Sequence, residues 1–176
     1  MDYQILRSKR KTISIQIQPD GAILVRCPLR MRQKDILSFV ESKGDWISAH
    51  LPKGPVLPKF TEEELEILAD QAKAYIPQRV RHFAPLVGVD YGRITIRSQH
   101  TRWGSCSAKG NLNFNCLLML TPPEVLDYVV VHELCHRKEL NHSSQFWTEV
   151  ACVLPDYQAR QQWLKECGGP LIARLP

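Results

Sequence analysis

The chain lacks long apolar runs. None approaches the roughly 20 residues that a membrane-spanning helix needs, so no membrane partner is expected. The opening segment MDYQILRSKRKTISIQI carries an acidic residue at position 2 and an early basic cluster. It has neither the apolar stretch nor the small-residue cleavage site of a secretory signal. Six cysteines stand at positions 27, 106, 116, 135, 152 and 167, without a single C-x-x-C pair. A chain of this size needs no disulfide staples, so they read as reduced thiols of a cytoplasmic protein. Internal repeats and low-complexity segments are missing, which excludes a solenoid. No clustered acidic motif suited to Mg²⁺ stands out.

What is there is an ordinary soluble composition. The 176 residues suit one domain and can bury a real core. Hydrophobic residues are 44% and charged residues 23%, which argues against general disorder. The formal charge of +5 and pI near 8.9 mark a mildly basic protein. That helps it approach an acidic or phosphate-bearing partner, but many ordinary enzymes carry as much, and a nucleic-acid partner is not expected from charge alone.

Residues 12–18, TISIQIQ, alternate apolar and polar, with Ile13, Ile15 and Ile17 on one face. Pro19-Asp20-Gly21 is a turn signal, and Ile23, Val25 and Cys27 share a face of the next run. This predicts a β-hairpin with one buried side. Arg7, Lys9, Arg10 and Lys11 lead into it and read as a solvated strand edge. Residues 34–51 have helical spacing, with Ile36, Phe39, Val40, Trp46 and Ile47 on one stripe. PKGPVLP, residues 52–58, reads as a short stiff linker between two halves. Thr61 and Glu64 fit a capping box and predict a helix over 62–82. Residues 92–98 and 111–119 read as strands, with HTRWGSCSAKG as a loop between them. Thr121 is placed to cap the next helix, with proline in its first turn and Glu124 closing the box. Further helices are expected over 143–153 and 156–166.

The helix after Thr121 leads into VVVHELCHRKELNH, which holds three of the six histidines. His132 and His136 are four apart, so they lie on one helical face and can share a metal ion. Glu133 can sit beside that ion and take a proton from its water. The preceding run from Val125 to Val131 is apolar almost all round, which marks a buried helix. Burying two histidines and a glutamate there is costly without partners, and a metal ion satisfies all three. Cys135 faces elsewhere and reads as a small core residue.

A catalytic zinc site has three protein ligands and an open position. His142 is the first candidate for the third, if the helix ends near Leu140 and Asn141 takes the left-handed conformation. Glu149 and Asp156 are the alternatives. Metzincin sites use the same histidine spacing, but with a glycine where this chain has Glu139. Zinc is the ion expected for three imidazoles, with nickel, cobalt and copper as alternatives that such ligands also fit. Asp127, Glu139, Glu149 and Asp156 are candidates to orient the rings.

Taken together, HTRWGSCS, NLNFN and LDYVVVHELCHRKELNHSSQFW resemble the YgjP-like metallopeptidase family, grouped near the SprT-like zincins. The resemblance runs through most of the chain, including the early hairpin and the KGDWI segment. Its sharpest motifs are R-W-G-S-C-S, H-E-x-x-H and N-H-S-x-x-F-W. It implies His132, His136 and His142 as zinc ligands and Glu133 as the catalytic acid/base. It also implies a role, without saying which, for Arg102, Trp103, Gly104, Ser105 and Cys106. One bacterial branch of the family is linked to nucleoside triphosphate pyrophosphatase activity on UTP, so a nucleotide stands beside a peptide as substrate.

Arg102 can bind a carboxylate, a phosphate or a developing oxyanion. Trp103 can stack on substrate or fill core space, and Gly104 can enable a turn. Zinc and Glu133 already cover the chemistry, so Cys106 is not needed as a nucleophile. The expectation is an α+β protein, a single YgjP-like domain over 1–176. Its zincin-like core, about 60–176, holds an antiparallel sheet and the H-E-x-x-H active-site helix. The N-terminal hairpin and helix, about 1–51, pack against that core. The expected activity is zinc-dependent hydrolysis, with peptide bonds the leading target. The alternatives are a UTP-type pyrophosphatase on the same metal and a non-catalytic zinc module closed by a fourth ligand. The oligomeric state stays open.

Overall fold

Alternating apolar residues build the first sheet, in the computed structural model that describes residues 2–18, 21–51 and 57–176. The chain falls into two units, Met1–Pro58 and Lys59–Pro176. Pro19 and Asp20 of the turn signal, and residues 52–56 of the linker, lie outside the described residues.

In the first unit, β1 (Tyr3–Ser8), β2 (Ser14–Ile17) and β3 (Ile23–Pro28) form a sheet in the order β1-β3-β2. β2 pairs antiparallel with β3, placing Ile15 opposite Val25. β1 adds to the other edge in parallel, with Ile5 opposite Val25. Arg7 thus belongs to a strand, and its guanidinium donates to the carbonyls of Leu29 (3.2 Å) and Met31 (2.6 Å). Ile23, Val25 and Cys27 pack on Ile36, Val40 and Ile47. The spacing predicts one helix over 34–51, but there are two, α1 (Gln33–Glu41) and α2 (Gly44–His50). The break falls where the Ser42 hydroxyl turns back to the Phe39 carbonyl (2.7 Å) and Gly44 weakens the helix. Trp46 leaves the predicted stripe: it is 42% exposed and stacks on His50.

The second unit opens on the predicted capping box. The Glu64 N–H donates to the Thr61 hydroxyl, and the Thr61 N–H donates to the Glu64 carboxylate. The helix it starts, α3 (Glu62–Val87), outruns its predicted end at 82. It passes through Pro77 and Pro85 because its buried face continues through Ile76, Val80, Phe83 and Val87. The second sheet has β4 (Ile94–Arg97), β5 (Gly104–Cys106) and β6 (Leu112–Asn115) in the order β4-β6-β5. β4 runs parallel to β6 and β5 antiparallel, so this sheet is mixed, in place of the antiparallel sheet expected. Part of the supposed loop folds back as β5 and hairpins onto β6 through a turn at Ser107–Gly110, where Gly110 has φ 78°. β4 is left to enter the far edge of β6 in parallel.

The strand predicted over 111–119 stops at Asn115, and residues Cys116–Leu120 form a 3₁₀ turn. Thr121 does not cap the next helix. Its hydroxyl donates to the Leu118 carbonyl at the end of that turn (2.8 Å), and Pro122 takes the cap position of α4 (Pro123–Cys135). Two helices follow, α5 (Ser144–Val153) and α6 (Tyr157–Ala173). α4 is central: Leu126, Val130, Val131 and Leu134 pack among Ile76 and Val80 of α3, Leu112 and Phe114 of β6, and Phe146 and Val150 of α5. Arg79 locks α3 to α4 through a two-pronged pair with Asp127 (2.7 and 2.9 Å). Among the described residues no helix is long and apolar enough to cross a membrane.

Candidate metal centre

α4 ends at Cys135, earlier than the predicted stop near Leu140, with His136 as its C-cap. Among the described residues no non-glycine has a positive φ, so Asn141 does not take the left-handed conformation. The chain leaves α4 by a tight turn instead, with the Lys138 and Glu139 N–H groups on the Cys135 carbonyl (both 3.0 Å). Ser143 then caps α5, its hydroxyl accepting from the Phe146 N–H (3.3 Å). Between turn and cap, His142 comes back against α4.

His142 Nε2 lies 3.0 Å from His132 Nε2. One ring nitrogen from each of His132, His136 and His142 falls within 4.8 Å of the others. A tetrahedral ion with nitrogens at about 2.0–2.1 Å holds each pair roughly 3.3 Å apart, so small side-chain shifts close this set on one ion. Phe146 is fully buried beneath the rings, with its centroid 4.9, 4.6 and 4.8 Å from those of His132, His136 and His142. Trp147 stacks on His142 (5.7 Å) and on Tyr157 (5.3 Å). The N-H-S-x-x-F-W segment thus supplies a donor, a helix cap, a floor and a wall.

His136 Nδ1 sits 2.9 Å from the Glu139 carbonyl; placing its N–H there leaves Nε2 as the free lone pair. None of the four carboxylates predicted to orient the rings does so. Asp127 is held by Arg79, Glu149 by Lys138 (2.7 Å) and Asp156 by Arg160 (2.9 Å). Glu139 contributes its main chain only. Among the described residues, neither Glu149 nor Asp156 joins the histidine group. His132 Nδ1 is buried without a partner among the described residues. Burial, and then the neighbouring imidazoles, pull His132 down to about 3, and burial lowers His136 too. A metal ion requires neutral imidazoles, which the burial of His132 and His136 favours, and the three converged ring nitrogens fit one.

Glu133 is only 5% exposed. Burial raises its carboxyl to about 8, against the Arg102 charge and a backbone hydrogen bond from Cys106, which both favour the carboxylate. The carboxyl lies on β5: a Cβ built on Gly104 would stand 2.7 Å from Glu133 Oε1 and 2.8 Å from Cγ. Gly104 therefore makes room for a side chain and does not enable a turn.

Asn115, at 1% exposure, pins the loop before β5. Its Nδ2 donates to the carbonyls of Gln99 (2.7 Å) and Arg102 (3.1 Å), and its main-chain N–H donates to the Trp103 carbonyl (2.8 Å). The available signal for Asn115 is a polar residue closing NLNFN, an otherwise inward-packing strand. Arg102 is exposed, and the half-buried Trp103 packs its ring on α6, where a Cβ on Gly168 would meet it at 3.0 Å. Burial and the Glu133 charge push the Cys106 thiol up, the wrong direction for a nucleophile.

An α+β unit that gathers three imidazoles beside a buried carboxyl is of the metallopeptidase type. The YgjP-like metallopeptidase domain matches over residues 11–66 and 58–167, and the chain belongs to that family. The family implies a metal ion, and the three histidines could hold one. The crystal structure of the metallopeptidase zymogen abylysin from Pyrococcus abyssi is similar, with TM-score 0.48 and 23% identity over 53% of this chain and 95% of that one. The metallopeptidase zymogen jannalysin from Methanocaldococcus jannaschii gives 0.46 and 22%, over 53% and 94%. No curated protein matches the chain.

Proposed function

We propose that the chain is a zinc-dependent peptidase in which His132, His136 and His142 hold the ion and Glu133 is the general base. The observation that carries this reading is the buried Glu133 carboxyl, seated on Gly104, one residue from a converged set of three imidazoles. When bound, the ion supplies Lewis acidity, polarising a substrate carbonyl and making water acidic near neutral pH. Glu133, as the carboxylate, takes the water proton and delivers it to the leaving amine; burial raises this group in the metal-free chain, and a bound cation beside it, together with the Arg102 charge, would favour the ionised form that a base needs. The Phe146 floor and Trp147 wall keep the rings in place. Arg102, whose charge reaches Glu133, steadies the developing oxyanion or a substrate carboxylate. Trp103 serves substrate binding by anchoring the segment that carries Arg102.

The donor set favours zinc, and among the described residues the group has three donors and no fourth. That supports a site open for substrate over a closed structural one. A groove of about 600 Å³, lined by Ser144, Trp147, Thr148, Ala151, Cys152 and Tyr157 among others, shares Trp147 with the histidine cluster. Its mixed lining suits a peptide side chain.

Metal analysis of the full chain and of His142→Ala tests the ligand set. One zinc per chain is expected, with occupancy lost in the variant. Full occupancy in His142→Ala would remove His142 from the set and make Asp156→Ala the next variant.

A further inference from the structure

The two units do not share the chain's charge. Residues 1–58 carry ten Lys and Arg against five Asp and Glu, and residues 59–176 carry thirteen against thirteen. The whole formal excess therefore belongs to the first unit. Its sheet topology gathers that excess at one end. β1 runs parallel to β3 and β2 antiparallel to it, so the β1–β2 loop (9–13) and the β3–α1 loop (29–32) leave the sheet on the same side. Lys9, Arg10, Lys11 and Arg30 lie on those loops, Lys34 follows in the first turn of α1, and Arg26 faces outward on β3.

Five of these six are exposed and Arg10 is half-buried. Among the described residues, none of the six has a carboxylate at ion-pair distance. The acid on this end, Asp35, is taken by Arg32 (2.9 Å). The cluster is built on a braced frame, because Arg7 ties the end of β1 to the Leu29 and Met31 carbonyls of the second loop. The adjoining open face of the sheet presents Gln4, Ser14 and Gln16 in register with Leu24, Arg26 and Leu6.

We propose that this end of the first unit binds the backbone of nucleic acid without sequence preference. Six cations without acidic partners can contact successive phosphates and release their counterions. A membrane-binding surface would seat several large apolar side chains among its cations. Here two exposed leucines stand among the cations, Leu29 in the basic loops and Leu6 on the open face, where Leu24 is half-buried; the rest of that face offers amides, a hydroxyl and a guanidinium. That face carries no aromatic ring to stack on a base among the described residues, so the contact is to the backbone.

Fluorescence anisotropy of the full chain tests this. The probes are a mixed-sequence DNA duplex and a single-stranded RNA of equal length, over a series of KCl concentrations. Phosphatidylserine-containing vesicles form a parallel arm. The expected result is nucleic-acid binding that weakens with salt, with a log–log slope of about −3 to −5, as several phosphate contacts require. The triple variant Lys9→Glu/Arg10→Glu/Lys11→Glu should lose about tenfold or more in affinity with its thermal transition unchanged. Arg30→Glu/Lys34→Glu, on the other loop, should lose affinity as well. An equal charge change on the second unit, Arg81→Glu/Lys109→Glu/Lys165→Glu, should leave binding near the parent value. Equal loss in that control would overturn the proposal in favour of bulk charge. Absence of binding at low salt, or binding to vesicles alone, would also overturn it.

Discussion

The two sides of the metal centre are held by different physics. The imidazole side rests on apolar contact: three rings lie on Phe146, and Trp147 and Tyr157 extend the stack outward. The carboxyl side rests on a fit to main chain: Glu133 fills the space that Gly104 leaves open, on a strand pinned by Asn115. The first side can yield gradually as packing loosens. The second tolerates almost no added atom. Metal binding and proton transfer should therefore fail separately.

The largest effect should come from removing the floor. Phe146→Ala is expected to destabilise the chain by about 3–5 kcal/mol and to weaken zinc binding, seen as a lower thermal midpoint and easier loss of metal to a chelator. A variant as stable as the parent would mean the rings are held by something other than Phe146. Next is Gly104→Ala, which tests the other side. It should keep its zinc yet lose on the order of 100-fold in kcat, the scale of a misplaced catalytic group. Unchanged turnover would show that Glu133 can do its work away from β5.

The smallest effect concerns pH. Burial lifts the Glu133 carboxyl from an ordinary 4.5 to about 8. The folded chain then keeps a proton that the unfolded chain has lost, so this group's contribution to stability falls as pH rises from about 4.5 through about 8. In metal-free protein, Glu133→Gln should gain stability relative to the parent over that window, the gain growing toward its upper end. His132 acts oppositely and at lower pH. Its depressed pKa makes stability rise from about 3 toward 6.5 in both proteins, so it cancels in the comparison. A gap between the two melting curves that does not change with pH would place Glu133 in a wetter site than the structure has.

The imidazole side was the more legible in the sequence. H-E-x-x-H has helical spacing, and His142, the first candidate for a third donor, lies beside the other two histidines in the fold. The capping box at Thr61 was readable for the same reason, because both partners are local. The route of the chain between donors was not: α4 stops at Cys135, and the turn that follows depends on hydrogen bonds with no strong residue signature. The carboxyl side was hidden because its logic is long-range. Gly104 looks like a turn glycine until Glu133, 29 positions on, is packed against it. Thr121 looks like a helix cap until the preceding 3₁₀ turn claims its hydroxyl. β1 and β4 join their sheets in parallel, through partners that no short window contains.

The central claim is that Glu133 moves the proton at a zinc site that cuts peptides. The most direct measurement is turnover by the zinc-loaded chain and by zinc-loaded Glu133→Gln, on a diverse peptide library and on the four nucleoside triphosphates. The account predicts peptide cleavage by the parent, a loss of about 10²–10⁴ in the variant with zinc retained, and nucleotides untouched by both. Nucleotide hydrolysis that disappears with Glu133, without peptide cleavage, would contradict it.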